Sequence, residues 1–132
     1  MIYEIDGTRF STLEEFFAEF NRVVTPASDP DNNLDAFDDT LSGGYGTPDE
    51  GFTLRWKNHE ISRRRLGYAE TVRQLELRLD RCHPTARALV SEDLKRAQAQ
   101  QGPTVFEWLT EIIQDHGTGG RYPADRVDLL LD

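Results

Sequence analysis

Three short apolar segments, separated by helical patterns, constrain the fold of this chain more than any other feature. They are residues 1–5 (MIYEI), 52–56 (FTLRW) and 126–131 (RVDLLL). Each has the length and the aliphatic or aromatic content that are typical of a β-strand. Because strands that are joined through helices pair in parallel, the pattern indicates βαβ connections. The sequence therefore predicts an α/β fold in which helices cover a small three-stranded parallel sheet.

The segments between these strands space their apolar residues as amphipathic helices do. Thr12 and Glu15 form a capping-box pattern at the start of a first helix, which runs to about Val24. Further helical patterns cover about 33–42, 58–66 and 103–116, the last with Pro103 in its first turn.

Residues 68–102 are predicted to form an extra helical insertion rather than a second domain. Their helical pattern breaks at His83-Pro84, and they contain too few apolar residues for a core of their own. A chain of 132 residues is also the usual size of one domain. We therefore predict a single domain over 1–132.

The net charge limits the partners that this chain can bind. Its 15 basic and 24 acidic residues give a charge of −9, which repels nucleic acids and anionic membranes and attracts basic proteins. The one short basic segment, 62–65, lacks the interleaved aromatic residues of an RNA-binding surface. A single cysteine, Cys82, and the absence of a leader-like or membrane-spanning apolar segment predict a cytoplasmic protein.

The acidic residues are concentrated where basic ones are missing. No Lys, Arg or His occurs between Val23 and Leu54, a stretch that contains seven Asp and Glu residues. On the predicted second helix, several polar residues recur at spacings of three and four and so share one face. This acidic face comprises Asp35, Asp38, Asp39 and Ser42, and it lies opposite the apolar Leu34, Phe37 and Leu41.

Local stability does not explain the acidic face. Like charges four residues apart destabilise a helix by about 0.2–0.5 kcal/mol, and Asp38 and Asp39 lie toward the negative end of the helix dipole. Asp35 has a structural alternative, because with Asn32 as N-cap it would occupy the third helical position and help to cap the helix. The structural interpretation of the whole acidic face is an ordinary solvated helix surface that binds no partner. A cationic partner that neutralises the carboxylates is the functional interpretation.

The segment 32–44 (NNLDAFDDTLSGG), followed by 52–60 (FTLRWKNHE), resembles the barstar family of ribonuclease inhibitors. The resemblance extends over 1–67 and 103–132. It implies a three-stranded parallel sheet and a second helix that enters the active site of an enzyme, where carboxylates replace RNA phosphates. Asp39 would then meet the groups that normally bind the scissile phosphate. The positions that match the family's binding motif are Asn33, Asp35, Asp39, Ser42 and Gly43.

Several positions depart from the family pattern and suggest a different enzyme partner. The loop before the second helix contains Asp29, Pro30 and Asp31 where the family usually has aromatic residues and a glycine. Asp38 and Gly44 also replace common aromatic residues. We include Asp38 among the predicted partner-binding residues, with Tyr45 as a displaced aromatic. Glu111 and Ile112 compete for the position of an assisting carboxylate on the later helix.

These observations predict an inhibitor that binds a basic secreted ribonuclease or a related toxin enzyme. The alternative is an acidic adaptor or immunity protein that binds a different basic partner. The motif DAFDD could suggest magnesium binding, but no second acidic cluster would complete such a site. No arrangement of catalytic residues is recognisable. We therefore expect neither enzyme activity nor a cofactor or metal.

Overall fold

A three-stranded parallel sheet forms the centre of the molecule, as predicted. The computed structural model describes residues 1–28 and 32–132. The strands pair in the order β1-β2-β3, so that Ile2 lies beside Thr53 and Thr53 beside Asp128. The α/β fold class predicted from the sequence is confirmed. The strands are β1 (Ile2–Asp6), β2 (Phe52–Lys57) and β3 (Val127–Leu131).

In the described residues, 1–28 and 32–132, six α-helices connect and cover the strands, together with short 3₁₀ turns at 7–9, 84–86 and 123–125. Pro103 precedes the last helix rather than occupying its first turn, because Thr104 is the N-cap and forms a capping box with Glu107. Within the described ranges, none of the helices is long and apolar enough to cross a membrane. The helices are α1 (Leu13–Val24), α2 (Leu34–Leu41), α3 (His59–Arg65), α4 (Tyr68–Arg81), α5 (Arg87–Gln98) and α6 (Val105–Asp115).

Aromatic side chains join α1, α2 and the sheet into one core. The Phe16 ring on α1 stacks on Trp56 of β2, with ring centroids 5.2 Å apart. Phe37 on α2 meets Phe16 and Phe20 edge-on, at 5.5 Å and 5.0 Å. Edge-to-face pairs of this kind contribute about 0.5–1.5 kcal/mol beyond the burial of apolar area. The inner side of α2 is therefore anchored to the centre of the protein.

The N-terminal turn of α4 caps two other helices. The Leu13 N–H at the start of α1 donates to Glu70 Oε2 at 2.8 Å. The Val105 N–H at the start of α6 donates to Thr71 Oγ1 at 2.9 Å. Glu70 also accepts a hydrogen bond from Arg73 Nε at 2.6 Å. These bonds tie α4, which lies in the predicted insertion, to the starts of α1 and α6, whereas α5 packs mainly on α4.

Candidate partner-binding site

The beginning of α2 is fixed by Asn33. Its side-chain oxygen accepts the Ala36 N–H at 2.8 Å, and its backbone carbonyl accepts the Phe37 N–H at 3.0 Å. The predicted N-cap, Asn32, is therefore wrong by one residue, and Asp35 occupies the second helical position instead of the third. A carboxylate there still lies at the positive end of the helix dipole. The family departures at 29–31 lie outside the described residues.

The two sides of α2 differ sharply in their surroundings. Phe37, Thr40 and Leu41 are buried, each with 4% or less of its surface exposed. Asp35 and Asp39 are exposed on the other side. Among the residues that the structure describes, neither carboxylate takes part in an ion pair or a side-chain hydrogen bond. The two carboxylates therefore face solvent without an ion pair to the described residues, although Arg78 and Arg81 line the same groove as Asp35, and we call the two carboxylates the binding face.

Asp38 does not belong to this exposed pair. Its Oδ1 lies 2.5 Å from Nε2 of His116, and the other ring nitrogen, Nδ1, lies 2.7 Å from Oδ2 of Asp125. The His116 ring is buried, with 1% of the residue exposed, whereas the Asp38 side chain is about half exposed. Asp38 therefore differs from Asp35 and Asp39 in having a partner within the chain, a histidine, although its side chain is still accessible from solvent.

The two carboxylates determine the protonation state of His116. Since ionised carboxylates only accept hydrogen bonds, both ring nitrogens must carry a proton to satisfy both contacts. Burial of the ring lowers its pKa, but the hydrogen bonds and negative charges of Asp38 and Asp125 outweigh this effect. The pKa of His116 is consequently raised above the usual 6.5. A raised folded-state pKa stabilises the fold fully below the unfolded-state pKa, and this stabilisation is lost as the pH rises through the folded-state pKa.

The contribution of Asp38 to stability should therefore depend on pH. We expect Asp38→Ala to lower the free energy of unfolding most below pH of about 6.5, and progressively less as the pH rises through the pKa of folded His116. Urea unfolding at a series of pH values measures this difference. Asp39→Ala, which removes a carboxylate from the next position without a side-chain partner, is the matched control. A parallel pH dependence in both variants would contradict the ionic contact.

A glycine-rich turn follows α2 and carries the remaining predicted residues. Ser42 is the exposed C-cap, and Gly43 and Gly44 have φ values of +101° and +87°, which favour glycine. Tyr45 is 50% exposed. A shallow depression of about 150 Å³ separates this turn from residues 124–127. The turn thus presents a large aromatic side chain close in sequence to the binding face.

A groove of about 970 Å³ adjoins the other end of α2. Asn33 and Asp35 line one side of it, and Trp108, Glu111 and Ile112 of α6 line another. Ile112 is half-buried and packs against the core, whereas Glu111 is exposed. Of the two competing positions on the later helix, 111 is therefore the exposed one, and the role of Glu111 as an assisting carboxylate stays a prediction.

Comparison with known proteins identifies the family. A sequence profile described as "Barstar (barnase inhibitor)" matches residues 1–82 of the 132. This chain belongs to the barstar family. The match extends from β1 to the end of α4, and so includes a helix that was predicted to belong to the insertion. No curated protein shows significant similarity to the chain.

Barstar-family proteins are inhibitors rather than enzymes, and the fold described above is the one expected for this family. The partner-binding roles of Asn33, Asp35, Asp38, Asp39, Ser42, Gly43 and Tyr45 stay predictions. The contact between Asp38 and His116 was missed, because the two residues are 78 positions apart. The one signal in the sequence was that an acidic residue replaces a common barstar aromatic at position 38.

Proposed function

We propose that this barstar-family protein is a stoichiometric inhibitor, which blocks the cationic active site of a secreted basic ribonuclease or a related toxin enzyme. It would act in the cytoplasm, before the enzyme leaves the cell. The observation that carries the proposal is the binding face, in which Asp35 and Asp39 are exposed and form no ion pair with the residues that the structure describes. The opposite side of the same helix is fixed in the core.

The binding face imitates phosphate through charge and through rigidity. Two carboxylates one helical turn apart present negative charge at a spacing that the fold determines. Because Phe37 and Leu41 already hold α2, little conformational freedom is lost when the partner binds. The repulsion between Asp35 and Asp39 is also relieved once cationic groups of the enzyme approach. The unfavourable free energy of this repulsion in the free protein therefore disappears in the complex.

Glu111 on α6 is a further exposed carboxylate in the groove that Asp35 lines, a groove that Arg78 and Arg81 of α4 also line. We expect Glu111→Gln to weaken enzyme binding by about 0.5–1 kcal/mol, roughly two- to fivefold, because an exposed peripheral charge contributes modestly. Titration calorimetry of the variant provides the measurement. Glu92→Gln, an exposed charge on α5, is the matched control and should bind like the parent protein. Equal losses in the two variants would contradict a specific role for Glu111.

Complementary charge should accelerate association. We expect the association rate constant to fall as the NaCl concentration rises from about 0.05 to 0.5 M, with a smaller change in the dissociation rate, because salt screens the attraction between the encountering proteins. Stopped-flow mixing measures both rates. An Asp35→Asn, Asp39→Asn double variant should show a shallower dependence on salt. A salt-independent association rate would contradict electrostatic steering.

A ribonuclease inhibition assay tests the proposal directly. Barnase and a panel of other basic secreted ribonucleases are titrated with the protein, and RNA cleavage is measured. Inhibition that is complete at one inhibitor per enzyme supports the proposal. Binding without loss of cleavage would instead support an acidic adaptor, and the absence of both would overturn the assignment to this class of enzyme.

A further inference from the structure

We infer that His116 is an internal clamp, which joins Asp38 on α2 to Asp125 in the 123–125 turn and thereby holds Asp39 and the following turn in the geometry that the partner binds. We call these three residues the His116 clamp. The effect on binding rests on the proposed inhibitory function. The clamp itself is a property of the free protein.

The geometry of the clamp connects three separate parts of the chain. His116 follows directly after α6, and its backbone carbonyl accepts the Val127 N–H of β3 at 2.8 Å. The ring is therefore fixed to the sheet by its own backbone. Its two nitrogens then reach Asp38 at 2.5 Å and Asp125 at 2.7 Å. Movement of α2 relative to the sheet would break at least one of these bonds.

The carboxylate of Asp38 forms an ion pair with His116 of the same chain. Within the described part of the chain, the charged groups that contact the ring are Asp38 from α2 and Asp125 from the 123–125 turn. Tyr122 is the remaining titratable neighbour, with its ring centroid 5.3 Å from that of His116. A buried imidazolium between two carboxylates neutralises much of the charge on both. Asp38 is thus a positioning residue, and not a third phosphate mimic.

The clamp contacts the C-terminal half of α2, which carries Asp39 and leads into the turn at Ser42 and Gly43. Asp38 immediately precedes Asp39, and the Ser42 N–H bonds back to the Asp39 carbonyl at 3.1 Å. Asp125 lines the depression beside Ser42 and Gly43. Both ends of the clamp therefore adjoin the C-terminal half of α2 and the turn after it. Loss of the clamp should loosen this segment while Asn33 still holds the start of the helix.

The free protein provides the first test. Nitrogen-15 NMR of the imidazole groups should show that Asp38→Ala lowers the pKa of His116, because the variant loses one of the two carboxylates beside the ring. In Asp38→Ala, amide hydrogen exchange of residues 40–43 should accelerate by about tenfold, a change of the size expected for a coupled contact, while exchange in α1 stays unchanged. An unchanged pKa of His116 in this variant, or unaltered exchange at 40–43, would overturn the clamp.

A double-mutant cycle provides the second test. Asp38→Ala and His116→Ala should each weaken binding of an inhibited ribonuclease by about tenfold, and the double variant should lose no more than either single one. If Asp38 touches the enzyme directly, its removal will still cost affinity in the His116→Ala background, which would overturn the inference. Should His116→Ala fail to fold, His116→Leu, which keeps the buried site filled but cannot bond Asp38, replaces it in the same cycle.

The pH dependence of binding affinity distinguishes the clamp from a general structural effect of the substitution. The ratio of the Kd of Asp38→Ala to that of the parent protein should decrease as the pH rises through the titration of His116 measured by NMR. Titration of the enzyme itself cancels in this ratio. A ratio that stays constant while His116 titrates would overturn the inference. If no ribonuclease is inhibited, the proposed function fails, whereas the clamp is still judged by NMR and by hydrogen exchange.

Discussion

Asp39→Ala is expected to weaken binding to the target ribonuclease by about 2–5 kcal/mol, roughly thirty- to several-thousand-fold in Kd. The carboxylate is exposed in the free protein, so its removal leaves the fold intact, but it would leave cationic groups of the enzyme buried without a partner in the complex. Barnase and barstar are themselves the standard example of this effect, so the magnitude is carried over from the family. Titration calorimetry measures the change.

Asp49→Ala is the matched control for this prediction. It removes the same charge from an exposed position in the loop before β2, and it should change the affinity little. The contrast distinguishes the placement of a carboxylate from the total charge of the protein. Equal losses in both variants would show that the general negative field, and not the binding face, is responsible for affinity. Urea unfolding of both variants should confirm that stability is unchanged.

Glu70→Ala is expected to lower the free energy of unfolding by about 2–3 kcal/mol. The Glu70 side chain is buried, and its removal leaves the Leu13 N–H without an acceptor and takes a charged partner from Arg73. Because Arg73 also bonds Glu14, the cation is not left entirely unpaired. Urea unfolding measures the loss.

Glu76→Ala, an exposed position on the same helix, controls for the general effect of losing a glutamate from α4. It should change stability by less than about 0.5 kcal/mol. If Glu70→Ala were equally mild, α4 would be only loosely attached to the rest of the protein, and the predicted insertion would be peripheral. A large loss would make α4 part of the barstar scaffold, in keeping with the family match that reaches residue 82.

Local patterns in the sequence predicted the elements but not the long-range polar contacts. The strands, α1 and α2 follow from apolar periodicity and from turn and cap residues, which act over a few positions. At α2 the choice between Asn32 and Asn33 as cap needed the backbone angles, since either asparagine suits the position. The bond from Leu13 to Glu70 spans 57 residues, and no short pattern specifies it.

The candidate site was predictable to a similar extent. The exposure of Asp35 and Asp39 agrees with the helical spacing, because a face opposite Phe37 must point away from the core. The same spacing placed Asp38 on that face, and periodicity alone cannot show that a histidine from the far end of the chain reaches it. Glu111 could be preferred to Ile112 only once the packing of α6 beside α2 was known.

The separation between the anchored and exposed sides of α2 has an evolutionary consequence. If the proposed function holds, substitutions at positions 35 and 39 can change which enzyme is bound without repacking the interior. Position 38 lacks this freedom, because a new residue there must suit positions 116 and 125 as well. Among relatives, we therefore expect an acidic residue at 38 to occur together with a histidine at 116, while positions 35 and 39 vary independently of both.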